Sequence, residues 1–420
     1  MSAELPALSA VVARLADPKI HLAAYGGIVF PLALIVESPI IMLLAASTAL
    51  SKDWASYVKI RRFMMYSGAA LTALHLLIAL TPLYYVVARS LLGAPQEIIE
   101  PGRIGLIIMT PWTWSIAYRR FHQGVLIRSG RSRAVSVGTV VRLGTNGVVL
   151  LIGYLLGNVP GIIVAASAVA TGVVCEAAFV GIVVRPVLRA ELQEAAPVVP
   201  ALAWREFFSF YIPLVLTSLL TLLYNPIGSA ALGRMPRSLE SLAVWPVVSG
   251  LVFIFRSLGI AYNEVVVALL DEPGSSANLR RFATWLSVIS TVTLLLVAVT
   301  PLSGLWFEQV TALDPDLAEI ARTGFWLVLP LPVMSVLQSW YQGAILTGKR
   351  TRGITESVVI FLVASGVTLI AGVAWGRMTG LYIGLAGLTV ATLMQTAWLW
   401  VRSRPVMAWV RERDVGPLAR

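Results

Sequence analysis

The chain has 420 residues, 58% hydrophobic and 13% charged, with a formal net charge of +11 and a mean hydropathy of +0.82. A soluble domain of this size would need far more polar surface, so that class is excluded. Apolar runs without alternation, such as Val148 to Leu156 and Leu286 to Val299, exclude a β-barrel, and the single cysteine, Cys175, excludes an intrachain disulfide and a multi-cysteine metal cluster.

What remains is an all-α polytopic membrane protein. A span needs about 20 apolar residues. Taken in chain order, spans are predicted at roughly 21–50, 62–92, 99–127, 134–157, 160–187, 206–233, 238–270, 281–308, 317–346, 354–375 and 379–402, about 11 complete helices. The first residues lack the basic region and apolar core of a cleaved signal peptide. The proline-bearing stretch Glu191 to Pro200 reads as a linker. The expected organisation is an N-terminal lobe 1–190, a linker 191–203, a C-terminal lobe 204–405 and a tail 406–420.

The chain repeats itself. Gln342-Gly343-Ala344-Ile345-Leu346 answers Gln123-Gly124-Val125-Leu126-Ile127 at an offset of 219 (342 − 123 = 219). Pro330 with Pro111, Gly380 with Gly161 and Arg404-Pro405 with Arg185-Pro186 keep the step, which becomes 220 near the N-terminus, as in Pro226 with Pro6. The helix at 206–233 opens the second copy, and residues 1–15 match only its C-terminal end. A first helix cut short is therefore expected, either through a late start codon or by real truncation. Counting that incomplete helix as helix 1, the copies lie six spans apart and are parallel repeats.

Basic residues gather in alternate loops: Lys52, Lys59, Arg61 and Arg62; Arg128, Arg131 and Arg133; Arg185, Arg189 and Arg205; Arg280 and Arg281; Lys349, Arg350 and Arg352. Acids such as Glu97, Glu100, Asp314 and Asp316 dominate the opposite loops. This is the positive-inside pattern. It accounts for the net charge without nucleic acid and predicts a multi-pass protein of the inner (plasma) membrane, with the basic loops cytoplasmic.

No P-loop, HExxH or clustered His/Cys motif occurs, so neither an ATPase, an enzyme, a metal nor a cofactor is expected. Ionisable residues inside spans are the informative ones, because a charge there normally faces a cavity or a partner. Glu37 in helix 2 has Arg256 in helix 8 as its repeat mate. The two read either as a pair that binds solute or couples ions, or as a structural bridge. Arg119, Arg120 and His122 in helix 4 read as an anion site or as arginines snorkelling to the headgroups. Asn263 and Glu264 lie two turns beyond Arg256 and read as cavity lining or as the membrane boundary. Tyr25, before Gly26-Gly27, marks a hinge for an outer gate, and Asn225 in helix 7 is a further polar cavity candidate. Arg142, Asn146, Glu176 and Glu356 form a weaker set in which Arg142 and Glu176 could pair, with plain bundle packing the favoured reading.

Leu22-Ala23-Ala24-Tyr25-Gly26, Phe208-Ser209-Phe210-Tyr211-Ile212-Pro213-Leu214 and Gln123-Gly124-Val125-Leu126, with the doubled six-helix plan, resemble the multidrug/oligosaccharidyl-lipid/polysaccharide (MOP, MATE-like) exporter superfamily. Within it they look most like the progressive ankylosis protein family. The resemblance implies a MATE-like fold and export of small organic anions such as nucleotide, citrate or pyrophosphate. The expectation is a secondary active transporter of small anionic or amphipathic solutes, working by rocking alternating access in the lipid bilayer, with a coupling ion or proton. Its rivals are a lipid-linked saccharide flippase and a non-transporting membrane scaffold.

Overall fold

A computed structural model describes residues 4–348 and 352–415; Lys349 and Arg350 of one basic loop lie outside the described residues. No strand occurs among the described residues. The helices are α1 (Glu4–Val12), α2 (Pro18–Leu50), α3 (Trp54–Leu80), α4 (Ile99–Ile108 and Thr110–Arg128), α5 (Ser132–Leu156), α6 (Gly161–Leu192) and α7 (Trp204–Leu232). They continue with α8 (Ser238–Leu269), α9 (Ser275–Val299), α10 (Pro315–Thr347), α11 (Arg352–Trp375) and α12 (Gly380–Val415). Among the described residues ten of these are long and apolar enough to cross a membrane. The eleventh predicted span is α4, whose polar second half and break at Met109 before Pro111 set it apart.

Boundaries differ from the sequence reading where caps and prolines act. Helix α3 starts at Trp54 because Asp53 accepts the Ser56 N–H at 2.8 Å, a capping box. It ends at Leu80 because Thr81-Pro82 cannot continue it, and Thr300-Pro301 stops α9 in the same way. Helix α12 runs on through Pro405 to Val415, well past the predicted 402.

The described residues form two compact units, one of Ala7–Gly233 and one that begins at Arg234 and takes in Pro6. Helix α7 thus packs with the first unit. Phe207 and Tyr211 stand against Phe63 at 4.9 and 5.1 Å between ring centroids, and the Tyr211 hydroxyl donates to the Pro39 carbonyl. Edge-to-face aromatic pairs of this kind add to plain area burial.

The repeat recurs in each unit's backbone. The short segment Leu83–Tyr85 and the π-helix Val86–Leu91 return at Leu302–Gly304 and Leu305–Val310, offset by 219. Gly93 (φ 61) is answered by Ala312 (φ 47), and Asp17 (φ 48) by Arg237 (φ 56). Packing repeats too. A Cβ on Gly153 would fall 2.4 Å from Val164, and one on its mate Gly372 would fall 2.3 Å from Ile383, the mate of Val164. Likewise Gly124 meets Ser47 as Gly343 meets Val266, again mates at 219. Small residues of this kind let helix backbones approach closely. The Gln-Gly signature therefore marks where the fourth helix of each copy presses on its second.

The candidate hinge departs from the repeat. Tyr25–Val29 is a π-helix in α2, whereas the mate positions in α8 lie in unbroken α-helix. Such bulges concentrate at functional sites.

Candidate functional site

In the first unit the charges within the spans converge on Glu176 of α6, which is fully buried. Arg119 Nη1 donates to its Oε2 at 2.8 Å and Gln123 Nε2 to its Oε1 at 2.9 Å. Arg119 and Gln123 are one turn apart on α4, so they share a face. Arg142 of α5 brings its Nε to 3.6 Å from Oε2, an ion-pair distance. Gly172, one turn before Glu176, makes room on α6: a Cβ there would land 1.6 Å from Asn146 Oδ1 and 3.1 Å from Arg142 Cγ. The favoured reading of Arg142 and Glu176 as plain packing is thus corrected, because they belong to one ionic network. The snorkelling reading of Arg119 also gives way, since its side chain is 2% exposed and held by Glu176.

Glu37 of α2 joins the network electrostatically. It is buried, with Oε2 lacking a hydrogen-bond partner among the described residues, and the charges acting on it are Arg120, Arg119 and Arg142. Arg120 is half-buried. The network therefore sets three guanidiniums against two carboxylates.

The second unit shows that the fold does not require these charges. The mates of Arg119 and Glu176 at 219 are Gln338 and Gln395, and Gln338 Nε2 donates to Gln395 Oε1 at 3.1 Å and to Thr396 Oγ1 at 3.1 Å. The same helix pair is closed by amides. Taking ions out of water costs several kcal/mol each, so a buried ion pair is weak evidence of a stabilising role. The charged version is an addition to the scaffold.

The other predicted residues are dispersed. His122 packs beside Tyr118 and Tyr57, its Nδ1 2.9 Å from the Tyr118 carbonyl and its Nε2 3.5 Å from the Tyr57 hydroxyl. Tyr25 is buried and stacks on Phe30 at 5.9 Å. Asn225 Nδ2 donates to the Leu222 carbonyl within its own helix, at 3.4 Å. In the second unit Arg256 Nε donates to Ser335 Oγ at 3.0 Å and Asn263 Nδ2 to the Ser339 carbonyl at 3.1 Å, both on α10. Glu264 is exposed. Among the described residues no group of three His, Cys, Asp or Glu is placed to hold a metal.

Sequence reasoning passed over Gln123 and ranked Glu176 low. The available signal was double: two positions 57 residues apart both exchange a charge for glutamine between copies, and the charges are opposite.

Solved structures supply the comparison. An inward-facing multidrug resistance MATE family transporter of the MOP superfamily aligns over 97% of this chain and 96% of its own, at 16% identity and a TM-score of 0.67. The chain has a MATE-like fold. The lipid II flippase MurJ, inward closed, shares the fold over 97% of this chain and 89% of its own, at 13% identity and a TM-score of 0.68. A MOP superfamily transporter from Pyrococcus furiosus, described as having a binding pocket of reverse polarity, covers 97% and 95% at 16% identity and a TM-score of 0.58. No protein-family model matches the chain, and no curated protein matches it by sequence. The MATE-like fold accounts for the doubled bundle. The network on Glu176 is described by this chain's own residues.

Proposed function

We propose that this chain is a multi-pass transporter of the inner membrane that exports small anionic or amphipathic solutes by alternating access. The carrying observation is the network of Arg119, Arg120 and Arg142 with Glu176 and Glu37, ionisable side chains in the unit whose counterpart closes with glutamines. The MATE-like fold supports the reading. Guanidinium forks suit carboxylate and phosphate, and they act strongly where water is scarce. Glu37 is the proton carrier. Protonating it leaves three cations against one carboxylate and favours an anion; releasing the proton restores competition and favours departure. With no ATPase motif in the sequence, the drive is a proton or ion gradient.

Proteoliposomes loaded with labelled citrate, pyrophosphate or nucleotide test this under an imposed pH gradient. Wild type is expected to move at least one of them with a rate that follows the gradient, and Glu37→Gln to lose that dependence. Unchanged gradient-driven flux in Glu37→Gln removes Glu37 from the mechanism. The likeness to MurJ favours a second reading, flipping of a lipid-linked saccharide. Vesicles that move only a lipid-linked pyrophosphate, and none of the soluble anions, decide for it.

A further inference from the structure

Away from the Glu176 network, the second unit holds a cavity of about 890 Å³ bounded by the start of α9, the C-terminal half of α10 and the end of α12. Arg280, Arg281, Arg404 and Arg411 line it, and among the described residues no carboxylate does; Asp414, which accepts from the lining Ser276 hydroxyl, is paired with Arg413 at 2.8 Å. None of the four arginines makes an ion pair among the described residues. The Arg404 guanidinium lies 3.7 Å over the Trp400 ring. The floor is apolar: Trp340 belongs to a buried cluster with Val406 and Val410, and Tyr341 and Met407 pack against it. The cavity is thus cationic at its rim and greasy below, on the side of the chain that carries the basic loops.

The repeat shows how the two units differ at the residues that line this space. Arg280-Arg281 and Arg404 have mates Arg61-Arg62 and Arg185 at 219, so the basic rim is common to both copies. The filling is not. Ser276 stands where the first copy has Tyr57, a buried ring packed on Phe121 at 5.3 Å. Trp400 and Arg411 stand where the first copy has Gly181 and Leu192. Ala408 in turn stands where the first copy has Arg189, so each copy carries four arginines; the second copy lacks the tyrosine plug, adds an aromatic and places its fourth arginine at 411.

We propose that this cavity binds the phosphate-bearing headgroup of an anionic lipid from the cytoplasmic leaflet. Arginines with no acid among them suit a phosphoryl oxygen cluster. Basic residues at this membrane face draw anionic lipid, and tryptophans prefer the interface. The apolar floor favours a headgroup with its glycerol and first methylenes over free phosphate, which would gain nothing from Trp340 and Met407.

Native mass spectrometry of the full chain in an uncharged detergent tests this with dioctanoyl phosphatidylglycerol, dioctanoyl phosphatidylcholine and inorganic phosphate. One phosphatidylglycerol per chain is expected, bound more tightly than either alternative. Arg280→Gln/Arg404→Gln is expected to weaken it about 25-fold, at about fivefold per basic residue. Ser276→Tyr, which restores the first copy's plug and leaves every arginine in place, is expected to abolish it. Should Ser276→Tyr fail to fold, the arginine variant decides alone. Unchanged affinity in the arginine variant, or equal binding of phosphatidylcholine, overturns the site. Phosphate binding as tight as the lipid overturns the lipid as its ligand.

Discussion

Replacing Glu176 with Gln removes the carboxylate shared by Arg119 at 2.8 Å, Gln123 at 2.9 Å and Arg142 at 3.6 Å. Two guanidiniums then sit in the interior without their common counter-charge, and breaking a buried pair in this way costs about 3–5 kcal/mol. The double variant Arg119→Gln/Glu176→Gln takes away an ion from each side and installs the amide pair that Gln338 and Gln395 already form at 3.1 Å. It should recover more than half of the loss. Adding Arg142→Phe, the residue the second copy carries at 361, should recover most of the remainder. Thermal unfolding in detergent, followed by intrinsic fluorescence, ranks the set: wild type and triple variant high, double variant intermediate, Glu176→Gln lowest. A double variant that melts as low as Glu176→Gln would show instead that the charges are part of what holds the first unit together.

The repeat makes a paired packing prediction. Gly153→Ala and Gly372→Ala each place a methyl within 2.4 Å and 2.3 Å of a facing side chain, so each should destabilise by about 1–3 kcal/mol in the same melting assay. A large cost in one copy and none in the other would break the equivalence. Asp53 predicts a pH dependence. Burial of its carboxyl opposes ionisation, but hydrogen bonds from the Ser56 hydroxyl and from the Val198 and Ser56 N–H groups outweigh that and hold it below its ordinary value of 3.8. A carboxyl lowered on folding contributes stability above its unfolded value and loses it as pH falls through the folded one. Asp53→Ala should therefore cost about 1 kcal/mol at pH 6, with the gap to wild type closing below about pH 4; a gap that is constant from pH 6 to pH 3 contradicts the assignment.

The doubled bundle was readable because its landmarks are backbone devices. Glycines at helix contacts, prolines at breaks and the Gln-Gly signature recur at a fixed step, and each has a steric reason to do so. The π-helices at 86–91 and 305–310 were not readable, since an extra residue in a helical turn leaves no compositional mark. Neither was the packing of α7 with the first unit, which depends on Phe63 receiving Phe207 and Tyr211 from far along the chain. The charge network was half readable. Repeat symmetry pointed from Glu37 to Arg256, yet symmetry relates positions and says nothing of contact. Within its own unit Glu37 already meets the charges of Arg120, Arg119 and Arg142. Comparing pairs of positions between the copies finds Arg119 with Glu176 directly, because Gln338 and Gln395 change together.

On this reading the first unit's buried charges serve an anion and not the fold. Anion efflux from proteoliposomes containing wild type or Arg119→Gln/Glu176→Gln, matched for folded protein, measures it directly. The double variant is expected to be folded and monodisperse, with flux at the level of empty vesicles. A double variant that exports the anion as fast as wild type would contradict it.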